Sequence, residues 1–386
     1  MAKKTETKET APKKTTAKKS TGAKKTTESK EKKAAVVTTE EKRLPIISVI
    51  TTFYNAETFI INAINSVNQQ IIEKDRFDFE YVLVDDKSQD NSRSILEGFI
   101  EKYVSEENKP KWKIYTPEEN LGCGGARKFG IDHAIGDYFM FLDADDYYMH
   151  TNFLVNAFNT ITSENADIVE FGVMFNQPDG QQINNTSAQK FVIENNPGLA
   201  EIVLFKDNLI KFNVWSKIYT RAIVESYPYS TTRTYEDVRT IPVWVSNAKK
   251  IVIMPTTEIN YRAATGSIIR TNMVDTRLGT ITAIAELFPR FSNDYNVLKA
   301  MYGRAMVDLE AMLHNHSSND DGFNEMSKLN TYMLSYLYPN NYKEITYNIE
   351  DEPKQVQEQQ KEENNENNSI SFEDWFVLFK TMKART

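Results

Sequence analysis

Two apolar runs of this chain end abruptly in acids, and a third ends in hydroxyls and an aromatic ring. Tyr138-Phe139-Met140-Phe141-Leu142 leads into Asp143-Ala144-Asp145-Asp146, and Tyr81-Val82-Leu83-Val84 leads into Asp85-Asp86. Ile46-Ile47-Ser48-Val49-Ile50 runs out into Thr51-Thr52-Phe53-Tyr54-Asn55. One acidic turn after a buried strand is ordinarily a solvated loop. Brought to one crevice, however, these ends offer a ring, a hydroxyl and several carboxylates, a set that suits a nucleotide. A base can stack on Tyr54 and donate its N–H edge to Asp86, while Asp143 or Asp145 holds a divalent cation against a diphosphate.

For the three ends to meet, the runs must be neighbouring strands of a parallel sheet, where ligands bind outside the carboxyl edge. The intervening segments have the required helical periodicity. Between the first two runs, Phe59, Ile60, Ala63, Ile64 and Val67 share one helical face, and after the second so do Ile95, Leu96, Phe99, Ile100 and Tyr103. A short strand over 111–115 and a helix over 125–135 follow, so four β-α units in succession predict an α/β fold with helices on both faces. Further on come a strand over 167–175, a polar hairpin or loop over 176–189, a helix over 236–247 and a strand over 251–253. From about residue 272 the pattern turns helical.

Composition sets the outer limits. The 386 residues are 40% apolar and 11% aromatic, enough for a sizeable core. Residues 1–43 hold fourteen Lys/Arg and six Glu, a net +8, which leaves −16 on the other 343. Lacking aromatics, this stretch cannot offset its own ordering entropy and is expected to be a disordered tail. It reads either as an arm for an anionic polymer, such as nucleic acid or a phosphate-rich glycan, or as a solubilising tail. The expected organisation is thus a tail over 1–43, an α/β domain over 44–271, a helical subdomain over 272–350, an acidic linker over 351–369 and an amphipathic helix over 370–386. In that last helix Phe372, Trp375, Phe376 and Phe379 form a stripe that docks on the globular body or on a partner or membrane surface.

No apolar run approaches the roughly 18 residues of a membrane span, so no transmembrane segment and a cytoplasmic location are expected. A single cysteine, Cys123, excludes an internal disulfide and a Cys-based zinc site. Gly122-Cys123-Gly124-Gly125 lacks the phosphate-loop pattern and reads as a tight turn into a helix. His150 follows the acids as a loop residue, and His314 and His316 have no partner spacing for a metal.

The motifs together resemble those of the family 2 glycosyltransferases. The matching stretches are Ile47 to Asn55, Val84-Asp85-Asp86-Lys87-Ser88, Asn120 to Gly130, and Phe141-Leu142-Asp143-Ala144-Asp145-Asp146. The resemblance spans about residues 46–150, with a weaker continuation to about 270. It implies a GT-A fold, Rossmann-like with a mostly parallel sheet, and an inverting, nucleotide-sugar-dependent enzyme. It places Thr52, Tyr54 and Asp86 at the nucleoside and Arg127 near the diphosphate. Asp143 and Asp145 become the ends of a DxD motif, whose second acid ligates Mn²⁺ or Mg²⁺.

In the continuation, Trp215-Ser216-Lys217 and Tyr235-Glu236-Asp237 resemble the family's W-x-K and E-D segments, which makes Asp237 the catalytic base. Arg262 resembles a diphosphate or acceptor contact. Thr52 stands where proline is commoner, and Lys128 where asparagine is. UDP is the family's commonest nucleotide, and its acceptors are mostly cell-envelope polymers and lipid-linked glycans. The alternatives are a viral-type enzyme glycosylating a hydroxymethylated base of DNA, or an inactive GT-A domain retained as a binding module.

Overall fold

The computed structural model describes residues 43–196, 198–207, 209–263, 273–313 and 321–340. The expected tail but for Arg43, the linker and the 370–386 helix lie outside them. The first half alternates as its periodicity requires: β1 (Ile46–Phe53), α1 (Ile60–Asn68), β2 (Asp78–Asp85), α2 (Ser92–Tyr103), β3 (Trp112–Tyr115), α3 (Gly122–His133) and β4 (Tyr138–Phe141). Then follow β5 (Tyr147–Tyr148), α4 (Phe153–Ser163), β6 (Ile168–Asn176), β7 (Gln182–Asn185), β8 (Phe191–Glu194), α5 (Leu199–Ile202), β9 (Lys217–Thr220), α6 (Arg221–Ser226), α7 (Glu236–Asn247) and β10 (Lys250–Arg262). Three longer helices close the described chain: α8 (Met273–Leu287), α9 (Tyr295–Leu313) and α10 (Asp321–Leu337).

The strands form one sheet in the order β3-β2-β1-β4-β9-β6-β10-β5, with β7 on β6 and β8 on β10. The parallel pairing expected of the β-α units holds across β3, β2, β1 and β4. Beyond β4 the sheet is mixed, because β9 enters antiparallel between β4 and β6. The connection that delivers a strand sets its direction, and an apolar run such as that of β9 carries no mark of it.

Ile47, Val49, Val82, Leu83, Val84, Phe139 and Phe141 are buried, as strands covered on both faces must be. On α1, Ile60, Ala63, Ile64 and Val67 are all buried at the expected helical spacing. Each large aliphatic chain so placed contributes roughly 1.5–3 kcal/mol. At the amino edge of the sheet the buried acid is structural. Glu80 accepts from the Ser48 hydroxyl at 2.5 Å, the Ile135 amide at 2.6 Å and Lys113 at 2.6 Å. The acids that do not settle among such partners lie at the carboxyl edge.

Helices α8, α9 and α10 pack on one another, with α8 against α7 and α9 against α5. Their shared core includes Ile281, Ile284, Phe288, Met301, Leu309 and Met333. No helix among the described residues is long and apolar enough to cross a membrane.

Candidate active site

Strand register brings the three ends together. Phe53 pairs with Asp85 and Ile50 with Phe141, and the Leu142 amide donates to the Ile50 carbonyl at 2.9 Å. The DxD stretch therefore leaves the sheet beside the end of β1. Thr52 is partly buried there, while Tyr54 is 48% exposed.

Asp86 is fixed by the start of α3. Its two carboxylate oxygens accept the amides of Leu121 at 2.7 Å and Gly122 at 2.8 Å, and its carbonyl accepts from the Asn120 side chain at 2.7 Å. Burial raises its carboxyl above the ordinary range, against the pull of those two amides and of Arg233. Gly122 has φ +73°, and a Cβ there would stand 2.7 Å from Cγ of Arg233. Arg233 in turn donates to the side-chain oxygen and the carbonyl of Asn120, both at 2.9 Å. The loop before α7 is thereby docked on the loop before α3. Asp86 thus anchors this junction, beside the nucleoside contact that the resemblance implies for it.

Arg127 joins two parts of the chain 109 residues apart. It is buried on α3, where one guanidinium nitrogen donates to Asp143 at 2.5 Å and the other to Glu236 in a short, buried contact. The second nitrogen also lies 3.3 Å from the Tyr229 hydroxyl. Glu236 and Asp237 form the first turn of α7, so the end of β4 and the start of α7 share one cation. Burial, followed by the adjacent Glu236, raises the Asp237 carboxyl to about 7 even though Arg127 pulls it back. A carboxylate that titrates near neutrality is suited to take a proton from an incoming hydroxyl. Cys123 sits in the same cluster, but burial pushes its thiol far up and leaves it no nucleophile.

The remaining acids diverge. Burial, then the charge of Asp143, raises Asp145 to about 6. Asp146 is fully buried, accepts the Arg262 amide at 2.9 Å through one oxygen and has no partner at the other. Burial holds its carboxyl well above the ordinary range. Asp146 thereby ties the acidic loop to β10. The Arg262 guanidinium lies 4.0 Å from the centroid of the Phe59 ring, in reach of Asp145 electrostatically. His150 is paired with Glu258 at 3.0 Å.

Among the described residues no group of three or more His, Cys, Asp or Glu is arranged to hold a metal. The donor set still fits a hard cation. Asp143 is claimed by Arg127, while Asp145 carries charge that no arginine hydrogen-bonds. A magnesium-type ion needs only one or two carboxylates when bound phosphates and water complete its shell.

Lys217, the lysine of the W-x-K segment, is fully buried in β9. It donates to the carbonyls of Lys211 at 2.8 Å and Asn213 at 2.6 Å and lies 3.6 Å from Glu170. Burial lowers its ammonium to about 8. It fixes the segment that carries Trp215, which stacks on Tyr261 with ring centroids 5.3 Å apart. The structure thus gathers Arg127, Asp143 and Asp237 through Glu236, sets Asp145 and Arg262 beside them, and places Asp86 at the start of α3.

Residues 48–227 match the model of the family described as glycosyl transferase family 2. Over 290 residues the chain is 25% identical to glycosyltransferase GlyG of Streptococcus pneumoniae, covering 71% of this chain and 91% of that protein. Over 182 residues it is 31% identical to poly(ribitol-phosphate) beta-glucosyltransferase of Bacillus spizizenii, covering 43% of this chain and 26% of that protein. Among solved structures, residues 1–349 of S. aureus TarS in complex with UDP-GlcNAc share the fold. The TM-score is 0.50 at 20% identity, over 75% of this chain and 91% of that one.

Proposed function

This chain is a family 2 glycosyltransferase, and we propose that it moves a sugar, with inversion, from a UDP-sugar to a hydroxyl of a cell-envelope polymer. The observation that carries this reading is the buried Arg127 clamp. It couples the first acid of the DxD motif to the helix whose Asp237 titrates at about 7.

On this reading Tyr54 stacks the base, Asp86 meets its N–H edge, and Thr52 borders the nucleoside. Asp237 takes the proton of the acceptor hydroxyl as that oxygen attacks the anomeric carbon and the bond to the nucleoside diphosphate breaks. Asp145, with Asp143 beside it, would hold Mn²⁺ or Mg²⁺. When bound, such a cation neutralises charge that develops on the departing diphosphate. Arg127 holds Asp143 and Glu236 in place, and Arg262 flanks the diphosphate or the acceptor.

Two features support an anionic, hydroxyl-rich acceptor of the teichoic kind. One is the match to the poly(ribitol-phosphate) beta-glucosyltransferase. The other is the +8 charge of residues 1–43, which complements a polyphosphate. The same charge would suit DNA, the second reading of the acceptor.

The test is to incubate the full chain with UDP- and GDP-sugars, with and without Mn²⁺, and to follow nucleoside diphosphate release by mass spectrometry. Cation-stimulated release that Asp145→Asn abolishes is expected. Failure of the wild type to bind or turn over any nucleotide sugar would overturn the reading.

A further inference from the structure

Tyr235 stands immediately before Glu236 and Asp237 with φ 57° and ψ 27°, in the left-handed region. For an aromatic residue this conformation costs about 1–2 kcal/mol and persists only where surrounding contacts impose it. Helix α7 also begins without a side-chain cap, the device that ordinarily fixes where a helix starts and how the chain enters it.

The contacts that impose the turn come from α8 and α3. The Tyr235 ring packs against Gly279 of α8, so that a Cβ there would stand 2.0 Å from ring Cε2 and 2.6 Å from Cδ2. Arg239, one turn into α7, donates to the carbonyls of Thr234 and Tyr235, both at 3.3 Å. The same guanidinium grips both carboxylate oxygens of Glu286 on α8, at 2.6 and 3.1 Å. Toward α3, a Cβ on Gly124 would meet the Thr232 carbonyl at 2.3 Å and the Ser230 carbonyl at 2.5 Å. The turn that presents the two acids is wedged between α3 and α8. A glycine inside a helix is destabilising by roughly 0.5–1 kcal/mol relative to alanine, and the ring accounts for its presence at 279.

We infer that Tyr235 is a positioning residue for sugar transfer: its ring, seated on Gly279, sets the start of α7 and so aims the Asp237 carboxylate at the acceptor hydroxyl. Helix α8, far along the chain from the nucleotide-binding strand ends, thereby sets the geometry of the reaction. The inference rests on the reading of Asp237 as the base.

Its test uses the full chain with Mn²⁺ and the fastest of UDP-glucose, UDP-GlcNAc and GDP-mannose as donor. Tyr235→Gly relieves the backbone strain but removes the ring. It is expected to lower kcat by about 10- to 100-fold, the scale of a 1 Å misplacement, with donor KM within about twofold and the acid limb of the pH profile moved. The conservative Tyr235→Phe, which keeps the ring, brings kcat back to within about threefold of wild type. Gly279→Ala, which helix propensity alone would make stabilising, lowers kcat in the same way by pushing the ring aside. Full kcat and an unmoved pH profile in Tyr235→Gly, or an unchanged kcat with a higher Tm in Gly279→Ala, would overturn the inference. Loss of the underlying reading is seen separately, as retained turnover in Asp237→Asn.

Discussion

Replacing Asp237 by Asn is expected to stabilise the protein while abolishing transfer. Burial and Glu236 lift this carboxyl from the ordinary 3.8 to about 7. Below about pH 4 the group is protonated in both the folded and the unfolded chain and contributes nothing. Between about pH 4 and 7 the folded protein keeps a proton that the unfolded chain has released, so stability falls as pH rises, and the loss is complete above about 7. At about 1.4 kcal/mol per unit the rise corresponds to an upper value of roughly 4 kcal/mol, and relaxation around the ionised group reduces it to about 2–4 kcal/mol. Asn has the same shape, stays neutral and can still accept the Val238 amide, which now donates to Asp237 at 2.7 Å. At roughly 2 °C per kcal/mol for a chain of this size, Tm should rise by about 4–8 °C at pH 8. At pH 5 the folded wild type is protonated but its unfolded chain is already ionised, so the gain should shrink to about two fifths of its pH 8 value, and it should vanish only below about pH 4. Thermal melts of both proteins at the two pH values give the comparison, and initial rates should show kcat lowered about 10²- to 10⁴-fold. A variant no more stable than wild type at pH 8, or equally stabilised at both pH values, would refute a partly buried carboxylate held against its preference.

The Arg127 clamp makes two substitutions diverge. Arg127→Met leaves Asp143 and Glu236 unpaired and should cost about 3–5 kcal/mol in thermal or denaturant melts. Arg127→Lys keeps the charge but cannot span both acids with one ammonium, so it should fold and lose turnover. Deleting residues 1–43 should weaken binding to poly(ribitol phosphate) and flatten its salt dependence, because fourteen basic residues leave with the segment. An unchanged salt slope in a filter or fluorescence binding assay would separate the arm from acceptor recognition.

The strands and helices of the first half were legible because apolar runs and helical spacing are local properties. The ends of β1, β2 and β4 could be named as one edge for the same reason, since parallel order follows from β-α alternation. Partners were not legible. Nothing within Gly122 to Gly130 says that Arg127 will reach Glu236, because that contact depends on α7 folding back across the start of α3. Nor does the run Asp143-Ala144-Asp145-Asp146 say that its last acid will be buried and hold the Arg262 amide. Gly279 lay in a stretch read merely as helical. Its meaning comes from a ring 44 positions earlier, which no spacing rule connects to it.

The crowding of these acids also explains how neighbours of one chemical type come to differ. Asp145, Asp146 and Asp237 each lie within electrostatic reach of Asp143 and of Arg127, and Asp237 within reach of Glu236 as well. Arg127 is committed to Asp143 and Glu236, which leaves three acids to find other ways of bearing burial. Asp146, its carboxyl held well above the ordinary range by burial, accepts a backbone amide and so anchors the loop. Asp237 titrates near 7 beside Glu236, so it can exchange a proton at neutral pH. Asp145, at about 6, is ionised at pH 7 with no arginine bonded to it. A bound diphosphate would add anionic charge to this surplus, and on the proposed reading a divalent cation at Asp145 is what balances both. On that reading burial and like-charge repulsion together yield an anchor, a base and a cation ligand, and the difference among them lies in what each oxygen can reach.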